Sequence, residues 1–298
     1  SHPAVADGNI YICQRGFIKN GYKASIVSTS DPIREYVQDE VSKIGGGGDG
    51  MYISLFASDK FTVYTRQYTD KWVGRKVIES INYDGWSLLY ISEYVLENGQ
   101  FHESERFPNG ISRGGSMEGP WKEHPNATDF ISGTAHGNEI TRNLIMTIDG
   151  KVYSPMTDSL FIKCKSVRFI INTNLFSNLT AGKNIAVRKR LYDFKDGGFY
   201  LEMQHDFLED VVFTILYHNA LTPVPDVFES YYIDREFELM DFDYVERSNN
   251  GDLREFNFIG SNTAASVTLL DLDSGEVSPR ILAAERTGKF YYDMINGD

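Results

Sequence analysis

From residue 51 onward apolar and polar side chains alternate with a period of two, and that property decides most of what the chain can become. Phe199-Tyr-Leu-Glu-Met-Gln-His-Asp-Phe207 shows it best, with Leu201, Met203, His205 and Phe207 on one side and Tyr200, Glu202, Gln204 and Asp206 on the other. A strand throws successive side chains to opposite faces, whereas a helix repeats every three or four positions. Similar runs begin at Met51, Phe61, Ser87, Tyr94, Ser159, Val167, Asn184, Asp210, Ser266 and Phe290. The chain carries 18 Tyr and 19 Phe, which suit a pleated, half-buried surface. Glu97-Asn98-Gly99, Asp84-Gly85 and Ile148-Asp149-Gly150-Lys151 read as tight hairpin turns, and Asp59-Lys60 and Lys195-Asp-Gly-Gly198 as further turns. The expected fold is all-β, a large antiparallel β-sandwich.

The first 50 residues break this pattern. Asn9 to Gln14 and Ala24 to Ser28 read as short strands, and Ser30-Asp31-Pro32 opens a helix with Ile33, Tyr36, Val37, Val41 and Ile44 on one stripe. Gly45-Gly-Gly-Gly-Asp-Gly50 then reads as a flexible joint. The expected organisation is an N-terminal segment over 1–44, a joint over 45–50 and a β-sandwich over 51–298. The start at Ser1-His2-Pro3, without Met, suggests part of a longer protein.

Charge narrows the function classes. Lys and Arg total 29 against 42 Asp and Glu, giving 29 − 42 = −13. Nucleic-acid binding rests on clustered basic residues, so no nucleic-acid partner is expected. An anionic polymer needs a local basic patch. No apolar run reaches the roughly 18 residues of a membrane span, so no membrane insertion is expected. Cys13 and Cys164 can pair or remain two buried thiols.

One stretch concentrates chemistry. Between the apolar pair Phe130-Ile131 and the run Leu144-Ile-Met146, the chain packs His136, Gly137, Asn138, Glu139 and Arg142 into seven positions. Such groups cost desolvation unless paired or in use. The polar segment from Phe101 to Thr128, which holds Arg113 and Trp121, reads as one wall of a cleft beside it. Candidate contacts with a substrate are Arg113, Trp121, Glu139, His218 and the pair Arg188 and Arg190, which share a strand face. Each has a plain alternative: Trp86 and Trp121 as core residues, His205 as a core imidazole, Arg188 and Arg190 on a solvated edge strand.

Three chemistries fit. β-Elimination on a uronic-acid polymer needs a group that neutralises the carboxylate, a base for the C5 proton and an acid for the leaving oxygen. His136, Asn138, Arg142 and Tyr217 supply these roles, His136 as base or carboxylate partner, Asn138 and Arg142 as neutralisers and Tyr217 as acid or base. Glycoside hydrolysis needs paired carboxylates, and no pair stands out. The third is a metal site, because His136-Gly-Asn-Glu139 has His-x-x-Glu spacing.

Thr134-Ala-His-Gly-Asn-Glu139 resembles the Gly-Thr-His-Gly-Asn-Glu zinc motif of the aspartoacylase and carboxypeptidase group, with an Ala inserted before the His. That resemblance implies a metal-dependent hydrolase with His136, Glu139 and a distant His205 or His218 as ligands. The group alternates strands with helices, whereas serial strands flank the motif here, so the reading adopted assigns no metal and no cofactor.

A second resemblance runs over residues 125–225. Asp129-Phe130, His136-Gly137 and Glu139, the Ile148-Asp-Gly-Lys151 turn, Lys195-Asp-Gly-Gly198 and Phe207-Leu-Glu-Asp-Val-Val212 ahead of Tyr217 together resemble β-sandwich portions of bacteriophage tail spikes and fibres. This implies a virion-exposed or extracellular homotrimer that binds or cleaves host surface polysaccharide. The expected function is a polysaccharide depolymerase of the lyase type, with a non-catalytic carbohydrate-binding tail module as the alternative.

Overall fold

The computed structural model describes residues 2–6, 9–13, 26–28, 51–57, 60–66, 72–79, 86–104, 119–124, 127–132, 136–153, 160–195, 198–233, 236–241, 245–248, 255–260, 264–268, 278–284 and 287–293. The expected helix at 30–44 and the joint at 45–50 lie outside them.

The described residues form strands and turns, without a helix, and therefore without one long and apolar enough to cross a membrane. β1 (His2–Ala6), β2 (Asn9–Cys13) and β3 (Ile26–Ser28) make a small sheet. β4 (Met51–Ala57), β5 (Lys60–Arg66), β6 (Trp72–Glu79), β7 (Trp86–Glu97) and β8 (Gln100–Glu103) follow as a meander. Next come β9 (Trp121–Glu123), β10 (Glu139–Ile148), β11 (Lys151–Tyr153), β12 (Leu160–Cys164), β13 (Val167–Phe176), β14 (Asn184–Lys195), β15 (Gly198–Phe207) and β16 (Phe213–Leu221). The chain closes with β17 (Ser230–Ile233), β18 (Glu236–Asp241), β19 (Val245–Ser248), β20 (Glu255–Ile259), β21 (Ala264–Thr268), β22 (Ser278–Ala284) and β23 (Thr287–Asp293).

All paired strands are antiparallel. Two sheets frame the centre, one ordered β12-β4-β5-β6-β7-β8 and one ordered β11-β10-β13-β14-β15. Their inner residues meet in one core: Ile53, Phe61, Val63 and Leu88 from the first face Met146, Phe169, Ile171 and Phe194 from the second. Phe61 stacks on Phe169 with ring centroids 4.9 Å apart and on Trp86 at 4.7 Å. Sheets β18-β17-β20-β21 and β19-β22-β23-β16-β9 extend that core through Tyr231, Phe256, Phe258 and Phe290. The described residues therefore have the expected all-β architecture, in several antiparallel sheets.

Two expected hairpins form as read. Asn98 and Gly99 have φ of 51° and 78°, Asp149 and Gly150 48° and 78°, the double positive φ that two-residue hairpin turns require. Ser87–Ser92 and Tyr94–Leu96, read as two strands, are one continuous β7, because the intervening Glu93 is buried inside it. β6 was not apparent from the sequence, since Gly74, Arg75 and Lys76 interrupt its pattern. Gly74 is there because a Cβ would fall 2.4 Å from the Tyr94 ring.

β10 carries the feature that shapes the site. Its register against β13 slips between Thr141 and Asn143, leaving Arg142 as the extra residue of a β-bulge. Before the bulge Glu139 faces inward; after it Met146 and Ile148 do, although odd and even positions have exchanged. One strand thus lines a polar interior at its start and the apolar core at its end.

Candidate functional site

The polar interior is built on β14. Arg188 and Arg190, two residues apart, both project inward and are essentially fully buried. β14 lies between β13 and β15, not at an edge, so the solvated edge-strand reading of this pair is corrected. Glu139 answers them from β10: its Oε1 lies 2.7 Å from Arg190 Nη1, and its Oε2 3.1 Å from Arg190 Nη2 and 3.5 Å from Arg188 Nη1. Thr173 on β13 donates its hydroxyl to Glu139 Oε1 at 2.7 Å. Burial pushes the Glu139 carboxyl up, but the Arg190 and Arg188 guanidiniums, with hydrogen bonds from Arg190 and Ser132, outweigh it and hold it at about 2.

Arg188 reaches further. Its Nη2 donates to the Gly119 carbonyl at 2.8 Å, its Nη1 to Ser132 Oγ at 2.5 Å, and its Nε to His205 Nε2 at 2.9 Å. Its guanidinium lies 4.5 Å over the ring of Trp121, and the Trp121 and His205 ring centroids are 4.6 Å apart. A guanidinium stacked on an aromatic face and bonded through all its nitrogens is well compensated for leaving water.

Above this interior sits the segment that carries His136. Ile131 bridges Trp121 on one side and Gly137 on the other, and Ser132 N donates to the Gly137 carbonyl at 3.0 Å, pinching the 132–137 loop at its neck. Ser132 and Asn138, at the two ends of that loop, have φ of 69° and 63°, left-handed values that non-glycine residues seldom adopt. Asn138 is tied to β13 through Phe176 N to its carbonyl, and its side-chain amide donates to Asn178. Asn178 in turn donates to the Asp129 carbonyl at 2.9 Å.

The result is an imidazole presented on a braced loop. His136 Nδ1 lies 2.8 Å from Asp129 Oδ1, with the His136 side chain 28% exposed and Asp129 65%. The Asp129 carboxyl is held below its usual value, first by the Phe130 backbone N–H at 2.7 Å and then, with burial opposing, by His136 and Lys122. A carboxylate on Nδ1 fixes the ring's orientation and leaves Nε2 as the proton-accepting nitrogen. Phe130 lies against His136 at 4.9 Å and against Tyr217 at 6.5 Å, and Lys122 Nζ is 5.7 Å from the Phe130 ring centroid.

Of the residues singled out in the sequence, His136, Asn138 and Arg142 are at least partly open to solvent. Tyr217 is 8% exposed and stacks with Phe130, the ring that also lies against His136. Glu139, Arg188, Arg190 and Trp121 are sealed inside, so their assignment as direct substrate contacts is corrected: they hold the site from below. Trp86 is a core residue, as its plain reading has it, stacked on Phe61. His136 and Glu139 spend their side chains on different partners, one on Asp129 and one on two guanidiniums, so the zinc-like spacing does not become a shared ligand pair. Among the described residues no group of three or more His, Cys, Asp and Glu is placed to hold a metal ion. Arg113 lies outside the described residues, as does the side chain of His218; the backbone of His218 pairs with Tyr292. Cys164 is a buried free thiol, pushed up to about 12 chiefly by burial.

Asp129, Phe130 and Lys122 were not singled out as site residues. Asp129 stands seven residues before its partner in irregular chain, where no periodicity links them. The signal present in the sequence was the cation Lys122 immediately beside Trp121.

No protein-family model, curated protein or solved structure matches this chain.

Proposed function

We propose that the chain engages an acidic surface polysaccharide and cleaves it by β-elimination, with His136 as the base. The observation that supports this most is the His136–Asp129 contact of 2.8 Å on a loop pinned at both ends. A general base must be held toward the proton it takes, and the Asp129 contact holds this imidazole.

In that reaction His136 Nε2 takes the C5 proton of a uronic acid. The electron pair left on C5 forms the C4–C5 double bond as the C4–O bond breaks, and the leaving oxygen keeps the C4–O pair. The imidazolium can return its proton to that oxygen, so one group serves both steps. Lys122, Asn138 and Arg142, each at least partly exposed, are the groups that would neutralise the uronate and stabilise charge developing at C5. Lys122 and Arg142 also supply local positive charge that a chain of net charge −13 needs to meet an anionic polymer.

A second reading, a carbohydrate-binding module without catalysis, is favoured by one observation. Tyr217, the expected acid, is buried and stacked against Phe130. Under either reading the chain belongs on a virion or outside the cell, as a homotrimer of the tail-spike kind. Incubation with uronic-acid polysaccharides separates the two: elimination produces the ultraviolet absorbance of the new double bond, and His136→Ala abolishes it. Retention of the polymer on the protein without that absorbance supports the module, and chain shortening without it supports hydrolysis.

A further inference from the structure

The buried arginine beneath the loop has more contacts than a structural ion pair needs, and their distribution is informative. Arg188 spends Nη2 on Gly119, Nη1 on Ser132 and Nε on His205, so it joins the entry to β9, the neck of the 132–137 loop and the strand β15. Glu139 is already met at both oxygens by Arg190, and its contact with Arg188 is the longest in the cluster at 3.5 Å. Charge balance alone therefore does not explain where Arg188 points.

Ser132 is the connecting residue. It is fully buried, its φ of 69° is one that glycine would adopt at lower cost, and the side chain that makes the position expensive is the one that binds. Its hydroxyl accepts from Arg188 Nη1 and from Arg190 Nη2 at 3.3 Å. Four positions on, the same loop presents His136 to Asp129. Asp129 itself stands three residues before Ser132, so the guanidinium–hydroxyl contact fixes the chain between the two members of the pair.

We infer that Arg188, acting through the Ser132 hydroxyl, is a positioning residue that sets the Asp129–His136 pair in register, although it never touches a substrate. This deepens the proposal that His136 is the proton-transfer group and rests on it for its functional meaning. The geometry itself can be tested without any polysaccharide.

The experiment records long-range 1H–15N correlation spectra of the imidazoles in the full chain, for the parent and for Ser132→Ala, Arg188→Gln and Asp129→Asn. Thermal unfolding is measured alongside. His102 and His124, both exposed, serve as internal references. In the parent, His136 is expected to show one tautomer, protonated on Nδ1. Ser132→Ala and Arg188→Gln should lose that preference as Asp129→Asn does, giving averaged nitrogen shifts at His136 while His102 and His124 stay unchanged and unfolding remains cooperative. A Ser132→Ala chain that folds and keeps the single His136 tautomer overturns the inference, and so does an equal disturbance of all three imidazoles. If Arg188→Gln fails to fold, Ser132→Ala decides alone. Loss of the tautomer with no cleavage of any polymer would leave the positioning role intact and remove the lyase reading.

Discussion

Arg188 gives its Nε–H to Nε2 of His205 at 2.9 Å, which makes His205 an acceptor at that nitrogen and places its proton on Nδ1. The ring is held there by Trp121 on its face and is half-buried on β15. An acceptor is what the position requires, and size alone does not meet it. His205→Gln, which keeps an acceptor, is expected to cost no more than about 1 kcal/mol. His205→Phe leaves a buried charged donor without a partner and is expected to cost about 2–3 kcal/mol. His205→Lys sets a second cation against the guanidinium and should be the worst of the three. Chemical denaturation of the three variants gives the order directly.

Glu139 predicts the acid behaviour of the fold. Its carboxyl stands at about 2 in the folded chain against an ordinary 4.5. A depressed carboxylate stabilises the folded state above its unfolded value and loses that contribution as pH falls through the folded one. Stability attributable to Glu139 is therefore fully present above about pH 4.5 and disappears toward pH 2, an amount on the order of 3 kcal/mol. Glu139→Gln should lower stability at neutral pH by about 3–5 kcal/mol, since it strands two buried guanidiniums. The same variant should flatten the slope of stability against pH between those limits. An unchanged slope in urea unfolding at pH 5, 4 and 3 would contradict this account.

Asp129→Asn tests the oriented base. The substitution keeps the shape and removes the charge, so binding of a polymer is expected to persist while turnover falls on the order of 100-fold or more. Cleavage rates and retention on an immobilised polysaccharide, measured on one preparation, read the two effects separately.

Ser132 offers a contrast between backbone and side chain. Ser132→Gly relieves a left-handed residue, a gain of about 1 kcal/mol, but abandons the hydroxyl that the two guanidiniums share, a loss of about 1–3 kcal/mol. Ser132→Ala loses the hydroxyl and keeps the strained φ. The glycine variant is expected to be the more stable of the two and still less stable than the parent, as a melting series would show.

The sequence was most legible where one face of a strand is apolar. β13 and β15 alternate cleanly, and the inward set Leu201, Met203 and His205 can be read before any coordinates exist. Alternation also showed that Arg188 and Arg190 share a face. It pointed to the wrong side of the sheet, because a hydropathy pattern counts a guanidinium as exposed and cannot see a carboxylate arriving from another strand. β6 was hidden for a similar reason: Gly74 weakens a strand on its own and belongs there only because the Tyr94 ring covers it. The site was half legible. His136, Asn138 and Arg142 stood out by composition, but the Asp129–His136 pairing depends on a loop closed by long-range hydrogen bonds, and nothing local encodes it.

The bulge at Arg142 has a consequence for how this chain can vary. With one residue of slack in β10, the stretch ahead of it can answer to the charged chamber while the stretch behind it answers to the aliphatic layer. Deleting that residue would turn Glu139 outward or Met146 and Ile148 outward, and no point substitution elsewhere on the strand could restore both. Descendants of this fold are free to redecorate the outer face of β10, but they must keep its count of residues.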